Sequence, residues 1–119
     1  MSEEKPTYEI AITAIIVKDG KFLITRRSPN KKKFPGMWTV PGGHLEPSDY
    51  IDFPKDTQFY WYNVLERTLA REVKEEVGLE INNLRYVTSL ANVNENGPSS
   101  LVISCLADWK SGEVTGRRM

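Results

Sequence analysis

Apolar residues in the first part of the chain follow the two-residue period of a β-strand. In the stretch YEIAITAIIV, residues 8–17, both alternations are apolar. One face carries Ile10, Ile12, Ala14 and Ile16, and the other carries Ala11, Thr13, Ile15 and Val17. A strand that is apolar on both faces is typical of a sheet strand covered on both sides. We therefore expect such a strand here, with a layer packed against each face.

Turn signals divide the other β-rich segments into further strands. Asp19-Gly20 predicts a hairpin with FLITRR as the returning strand, and MWTVPGGH predicts a short strand that runs into a glycine-rich turn. LRYVTSLA and SSLVISCLADW predict two later strands joined by a turn at Asn96-Gly97. The loop SPNKKKFPG contains Lys31–Lys33, which either face solvent or form a basic rim that attracts a phosphorylated ligand.

One long helix separates the early strands from the late ones. Its apolar stripe consists of Leu69, Ala70, Val73 and Val77. Gly78 predicts a cap directly after Val77. Strands, one helix and further strands predict a mixed α/β layered domain, and the 119 residues suffice for one domain over the whole chain, residues 1–119.

An acidic cluster lies along the edge of the apolar stripe. Glu72, Glu75 and Glu76 fall within an arc of roughly 100° on a helix, where like charges repel. One interpretation is a solvated charged face in which Arg71 and Glu75 form an ordinary pair four residues apart. The other is a divalent-cation site, because hard cations bind several carboxylate oxygens that converge from one side.

Composition narrows the classes of partner and compartment. Sixteen basic and sixteen acidic residues give a formal net charge of zero, which offers no electrostatic argument for a nucleic-acid polymer or a membrane as partner. Cys105 is the only cysteine and lies in an apolar strand, so we expect a small core residue and a cytoplasmic setting. The N-terminus has no signal-peptide pattern, and no apolar run approaches the ~20 residues that span a bilayer.

The glycine-rich segment and the helix together resemble the Nudix box, G-x5-E-x7-R-E-U-x-E-E-x-G-U, in which U is aliphatic. Gly43 matches the opening glycine, and REVKEEVGL matches every fixed position from Arg71 to Leu79. MWTVPGG is similar to the Trp-x-x-Pro-Gly-Gly segment before the box. Asp49 stands where the family has glutamate, and 21 residues separate it from Arg71 where the motif has 7, an insertion of 14. The family usually continues past DWKSGEVT into another strand and a closing helix.

The resemblance implies an α/β (α+β) fold of the Nudix type, an α/β/α sandwich. Its sheet would be mixed, with the box helix on one face and the C-terminal helix missing. It also implies a hydrolase that uses Mg²⁺ or Mn²⁺ to cleave a phosphoanhydride in a nucleoside diphosphate linked to another group. The expected partner is a small-molecule nucleotide.

The same resemblance assigns roles to individual residues. The implied metal ligands are Glu72, Glu75, Glu76 and the backbone carbonyl of Gly42. The implied catalytic residues are Arg71, Glu75 and Glu76, and the implied substrate contacts are Gly42, Gly43, Trp38 and Arg27. Arg71 would orient the carboxylates, with Asp49 as its partner. The two glycines would allow a tight turn and a close approach.

Several other residues keep more than one interpretation. His44, the only histidine, is expected to be a surface residue and not a general base. Glu46 either assists the metal site or faces water, and Trp38 either stacks on a base or packs beside its strand. Many family members draw a further glutamate from a segment after the late strands. Glu95 and Glu113 are the glutamates in that region, and neither lies in a recognisable motif.

The inserted residues, YIDFPKDTQFYWYN, are rich in aromatic side chains. Asp56, after a proline, predicts a helix N-cap. At about 100° per residue, Phe59 and Tyr62 fall on the stripe of the box helix. We therefore expect the insertion to extend that helix backwards to a start near Thr57. In such a helix the side chains of Tyr60 and Trp61 would project off the stripe, toward the substrate cleft or a partner surface.

Alternatives to an active hydrolase follow from the short C-terminus. The chain would then be a catalytically weak or inactive nucleotide-binding domain or fragment. A Nudix-type isomerase acting on an isoprenoid diphosphate has no matching second acid or cysteine motif. Without a closing helix, one apolar face of the strand at residues 8–17 would be uncovered. We therefore expect self-association through that face, as a homodimer, or marginal stability, with weak hydrolysis.

Overall fold

The computed structural model describes residues 5–30 and 34–114 and contains a mixed β-sheet, a small second sheet and one α-helix. The strands are β1 (Tyr8–Lys18), β2 (Lys21–Phe22), β3 (Thr25–Arg26), β4 (Trp38–Thr39), β5 (Gly42–His44), β6 (Glu80–Asn92) and β7 (Ser99–Ser111). The helix α1 spans Val64–Val77, and a short 3-10 helix spans Pro47–Asp49. The lysine run at Lys31–Lys33, for which a loop is predicted, lies outside the described residues.

Five strands form the main sheet. Four of them lie in the order β2–β1–β7–β6, and β5 pairs with β1 on the same edge as β2. β1 and β7 run parallel, from Tyr8 beside Ser99 to Val17 beside Asp108. All other strand pairs are antiparallel, and β3 and β4 form the separate second sheet. A mixed sheet with the box helix on one face confirms the predicted fold class. Between residues 5–30 and 34–114, α1 is the only α-helix, so the second helical layer of the sandwich is not found in that range.

The core lies between α1 and one face of β1 and β7. Its buried apolar residues are Ile12, Ala14, Ile16, Leu69, Val73, Val77, Leu79, Cys105 and Ala107. The prediction that Ala70 belongs to the stripe is wrong, because Ala70 is exposed and Thr68 is buried in its place. The helix therefore turns its Thr68 side toward the sheet. None of the helices in the described part of the chain is long and apolar enough to cross a membrane.

The second face of β1 is only partly covered. Ala11, Thr13, Ile15 and Val17 are half-buried, whereas their neighbours on the core face are fully buried. The expectation of a layer packed against each face of β1 is therefore met on the core face and only in part on the second face, as far as the described residues go. The apolar side chains on this face are partly accessible, but they do not form a fully exposed patch.

The early turns follow the predicted pattern in part. Asp19 and Gly20 have φ values of 52° and 76° and join β1 to β2, which confirms the hairpin. FLITRR is not one strand, because β2 and β3 are separate two-residue strands that belong to different sheets. The glycine-rich segment is not a turn: Gly42 and Gly43 begin strand β5, which pairs with β1.

The insertion does not extend the helix, so that prediction is wrong. Residues 50–63 form an irregular loop, and α1 begins at Val64 after Asn63, whose backbone is left-handed (φ 57°, ψ 34°). Two side chains compete with the helix for backbone N–H groups: the Asp56 carboxylate accepts from Tyr62 N at 2.8 Å, and the Thr57 hydroxyl accepts from Tyr60 N at 3.0 Å. These bonds fold the segment back on itself.

Contacts within the inserted loop give it a definite conformation. The indole N–H of Trp61 donates to the carbonyl of Phe53 at 2.7 Å, and its ring lies 5.2 Å from that of Tyr50. Phe59 and Tyr62, which the helical register placed on the buried stripe, are instead exposed. At its other end α1 stops as predicted, with Gly78 in the left-handed region (φ 77°) and its N–H donating to Lys74 O.

Candidate active site

The centre of the site is the close packing of strand β5 on helix α1 and strand β1. Neither Gly42 nor Gly43 has a positive φ, so neither glycine is needed for an unusual backbone conformation. Each is needed for space. A Cβ on Gly42 would overlap the carbonyl oxygen of Ile12, and a Cβ on Gly43 would lie 2.6 Å from Cδ of Glu72. The close approach predicted from the sequence is therefore present. Gly42 packs against the backbone of β1, and Gly43 packs against the Glu72 carboxylate of α1.

Two glutamates of α1 project toward β5. Oε2 of Glu76 accepts a hydrogen bond from the backbone N–H of Gly42 at 3.3 Å. The side chain of Glu72 lies directly beneath Gly43 and is four-fifths buried. Because both glutamates lie one helical turn apart on the same side of α1, their carboxylates reach the same strand.

Arg71 joins three acidic side chains of the site. Its guanidinium donates to Asp49 at 2.5 Å, to Glu72 at 3.0 Å and to Glu75 at 2.8 Å. Asp49 is held by the short 3-10 helix, and its second oxygen accepts from the backbone N–H of Glu46 at 2.7 Å. The Asp49 side chain is only 5% exposed. The predicted pair of Asp49 and Arg71 is therefore present, and both oxygens of the Asp49 carboxylate accept a hydrogen bond.

The charges around Arg71 favour its ionised form. Partial burial opposes the positive charge, but the neighbouring Glu72 carboxylate, the hydrogen bond to Asp49 and the charge of Glu75 together outweigh it. The pKa of Arg71 is consequently raised above its usual value. Arg71 therefore acts as a permanent counter-charge that holds several carboxylates in fixed positions.

Glu72 and Glu76 line one end of a cleft. This part of the cleft has a volume of about 420 Å³ and also includes Gly42, Gly43 and Glu46. Carboxylate and carbonyl oxygens suit Mg²⁺, which proteins commonly hold with one or two carboxylates plus substrate phosphates and waters. The donor atoms at this end of the cleft therefore fit a hard divalent cation. In the residues that the structure describes, no three Asp, Glu, His or Cys side chains converge as a complete cage.

Glu75 does not line the cleft with the other two glutamates. Its side chain is 56% exposed, pairs with Arg71 and does not line the cleft. The structure thus brings together Glu72, Glu76 and Gly42 among the four predicted ligands. Glu75 is joined to Glu72 through the shared guanidinium of Arg71.

The same cleft continues into a larger part with a different lining. This second part has a volume of about 810 Å³ and shares Ala11, Thr13, Arg27, Thr39 and His44 with the first. Its far end carries Phe34, Met37, Trp38, Val93 and Val102. One continuous cleft therefore runs from an acidic end, past Arg27, to an apolar and aromatic end.

Trp38 belongs to the lining of this cleft and not to the core. Its side chain is 63% exposed, and the guanidinium of Arg26 lies 5.8 Å from the ring centroid. Trp38 lines the cleft, whereas Arg26 does not. The packing interpretation of Trp38 is wrong, and the ring is available for stacking on a flat ligand.

The remaining candidate residues divide between the cleft and the surface. His44 is largely exposed, 3.8 Å from a Glu9 oxygen, and borders the cleft, which agrees with the expectation of a surface residue. Glu46 lines the acidic end, and Glu95 lines the aromatic end. Glu113 lies in a separate cavity of about 470 Å³ between β1, β2 and β7. Of the two late glutamates, only Glu95 is therefore near the cleft.

Sequence reasoning missed several residues of the cleft. Ala11 and Thr13 reach it from the second face of β1, Asn92 from the end of β6, and Asn94 and Asn96 from the turn between β6 and β7. Asn94 is fixed there by accepting from the N–H of Asn96 at 3.1 Å. No local motif marks these positions. The spacing of three asparagines in NVNEN is the only signal that could have indicated them.

Comparison with known proteins agrees with this geometry. A profile of the NUDIX domain matches residues 7–117. The NAD-capped RNA hydrolase NudC of Enterobacter sp. (strain 638) is 48% identical over 109 residues, and that of Photobacterium profundum is 28% identical over 109 residues. Each match covers 92% of this chain but 34% of the relative, so the chain spans about a third of the length of these relatives.

Solved structures share the fold. A MutT NUDIX hydrolase from Burkholderia pseudomallei superposes with a TM-score of 0.67 at 22% identity, over 96% of this chain and 76% of that one. A MutT protein from Methanosarcina mazei Go1 has a TM-score of 0.58 at 26% identity, over 99% of this chain and 76% of that one.

Proposed function

This chain belongs to the Nudix family, and from that premise we propose that it is a divalent-metal-dependent hydrolase of nucleoside diphosphates linked to another group. The proposed reaction is attack of water on a phosphorus atom and cleavage of the phosphoanhydride bond. The acidic end of the cleft would bind the diphosphate through the cation, and the aromatic end would bind the nucleoside. Mg²⁺ or Mn²⁺ is the proposed cofactor.

One observation carries this proposal: a single cleft holds three carboxylates, those of Glu46, Glu72 and Glu76, at one end and an exposed indole at the other, with Arg27 between them. A cleft with only acids would repel a diphosphate. A cleft with only aromatic groups would give no means of activating water. The combination suits a ligand with a flat apolar part and a polyanionic part joined through a cation.

The protein residues have separate tasks in this reaction. Glu72 and Glu76 would hold the cation, and Gly42 would hold Glu76 in position through its N–H. Arg71 would fix Glu72 by sharing its charge with Asp49. Arg27 would face the phosphate oxygens. When bound, the metal would lower the pKa of a water molecule and screen the phosphate charge.

The relatives suggest where to look for the substrate. The matching curated relatives are named as hydrolases of NAD-capped RNA, and NAD contains a diphosphate between two nucleosides. We therefore include NAD and other dinucleotides in the proposed substrate class, together with nucleoside triphosphates and nucleotide sugars.

Burial and then the charge of Glu66 raise the pKa of the Cys105 thiol. A protected free thiol suits a reducing compartment, so we place the activity in the cytoplasm.

Glu76→Gln tests the proposal most directly. It keeps the size of the side chain and a hydrogen-bond acceptor for Gly42 but removes the charge. We expect hydrolysis of the best substrate in a nucleotide panel, measured by coupled phosphate release with Mg²⁺, to fall by about 10²-fold or more. Mg²⁺ should also raise the melting temperature of the wild type but not that of the variant, since a ligand of the folded state stabilises it.

Glu66→Gln is the matched control. Glu66 is an exposed glutamate in the first turn of the same helix and does not line the cleft. It should keep both the activity and the Mg²⁺-dependent shift. Equal wild-type rates in chelator and in Mg²⁺ would disprove metal dependence. Nucleotide binding without turnover by any panel member would favour the alternative, a nucleotide-binding domain without catalysis.

A further inference from the structure

β6 forms an outer edge of the main sheet, with no strand beside it among residues 5–30 and 34–114. It is 13 residues long, and each residue from Tyr86 to Asn92 is exposed. Tyr86 is 67% exposed and Leu90 57%. Both faces of this half-strand are therefore accessible, as well as its backbone edge.

Half of the backbone N–H and C=O groups of an edge strand point away from the sheet. Proteins usually protect such an edge with lysine, proline, bulges or a short strand. The first half of β6 has this protection, because its register shifts at three places between Glu80 and Thr88 and it contains Arg85. The second half has none. From Thr88 to Asn92 the pairing with β7 is continuous, and this segment has no charge and no proline.

We propose that residues 88–92, the open edge, pair with the same residues of a second copy of this chain, so that two main sheets join across a two-fold axis. An unpaired strand edge is satisfied by another extended strand, and antiparallel pairing of a strand with itself is symmetric. Neutral residues would face neutral residues across the contact. The zero net charge of the chain adds no long-range repulsion between copies.

The other edge of the sheet explains why the assembly would stop at two. That edge consists of β2 and β5, which are two and three residues long. Neither offers a continuous row of backbone groups for a further strand. Because the described part of each chain has one long open edge, pairing closes as a dimer and does not continue into a fibre.

The position of the open edge connects this contact with the cleft. Val93, Asn94 and Asn96 follow β6 directly and line the aromatic end of the cleft. In the dimer the second copy would lie beside this turn. The inferred surface differs from the β1 face expected from the sequence, because that face is half-buried and the open edge is exposed.

Leu90→Lys is the test, because a lysine on an edge strand opposes pairing with another edge. Sedimentation velocity of the wild type should give a dimer with a Kd tighter than about 100 µM. The variant should weaken this dimer by at least about tenfold. Phe22→Lys is the matched control: Phe22 is 64% exposed and lies on the opposite edge. It should leave the dimer unchanged.

Hydrogen exchange of the wild type gives an independent measurement that needs no variant. Amides of residues 86–92 should gain protection as the concentration rises through the dimer range, and those of the inserted loop, residues 50–63, should not. A wild type that stays monomeric at about 100 µM overturns the proposal. So does a dimer that Leu90→Lys leaves intact or whose protection appears in the inserted loop.

Discussion

Alanine at Gly42 should mainly lower stability, whereas alanine at Gly43 should mainly lower activity, although the two glycines are adjacent in one strand. A Cβ at Gly42 would overlap the carbonyl oxygen of Ile12 and lie 2.8 Å from Cα of Thr13. Both obstacles are backbone of β1, which cannot move without disturbing the pairing of β1 with β5. A Cβ at Gly43 would meet only the side chain of Glu72, with Cδ at 2.6 Å and Oε2 at 2.8 Å. A side chain can rotate away.

These contacts set the size of each effect. Overpacking against fixed backbone at Gly42 costs about 3 kcal/mol, and the lower entropy of the unfolded alanine chain returns about 0.5–1 kcal/mol. The net loss is about 2 kcal/mol, or roughly 8 °C in melting temperature for a domain of this size. At Gly43 the cost is a displaced rotamer of Glu72, about 1 kcal/mol, which the same entropy term nearly cancels. Its melting temperature should therefore stay within about 3 °C of the wild type.

When rates are corrected for the folded fraction, Gly43→Ala should lose more activity than Gly42→Ala. Gly43→Ala pushes a proposed metal ligand out of place, and a misplacement of about 1 Å costs on the order of 10²-fold in rate. The assays are thermal unfolding by circular dichroism and phosphate release under Mg²⁺ at a temperature where both variants are folded. A Gly43→Ala protein that is as unstable as Gly42→Ala, or that keeps the wild-type rate, would refute this reasoning.

Three further substitutions test other parts of the structure. Asp49→Asn removes a nearly buried charge opposite Arg71, and because Arg71 is 44% exposed the loss should be about 1–2 kcal/mol, seen as a lower denaturation midpoint. Thr68→Val removes a buried hydroxyl that has no hydrogen-bond partner among residues 5–30 and 34–114, and it should raise the melting temperature by a few degrees; a decrease would mean that the hydroxyl is satisfied. The hydrogen bonds from Asn83 and then from Arg85 lower the pKa of Asp108 below the usual value of an aspartate. The contribution of ionised Asp108 to the free energy of unfolding is therefore complete above about pH 4, and it is lost as the pH falls through the lowered pKa. The melting temperature of Asp108→Asn should consequently fall less in acid than that of the wild type.

The inserted loop shows why helical periodicity alone was insufficient. Phe59 and Tyr62 have the right spacing for the buried stripe, yet both are exposed. Periodicity records where side chains would lie if the segment were helical, and it does not record competing hydrogen bonds. The Asp56 carboxylate and the Thr57 hydroxyl take backbone N–H groups that a helix would use.

Local chemistry allowed the sequence to determine the family, the box helix, its end at Gly78 and the hairpin at Asp19-Gly20. Each of these depends on residues close together in the chain: a fixed motif, a helical stripe, a left-handed cap or a two-residue turn. The family resemblance also predicted that Asp49 pairs with Arg71 across 21 intervening residues. A motif holds such information even where the spacing has changed.

The tertiary structure alone decided which side chains share the cleft. Thr13, Val102 and Asn94 come from three separate segments, and nothing in their local sequence indicates that they meet. It also decided that Gly43 gives space to Glu72 and that the second half of β6 is an unprotected edge. Strand order and register fix these relations, and they depend on the packing of the whole sheet against α1. Side-chain patterns along one segment determine how it folds locally, but distances between segments arise only when their faces pack together.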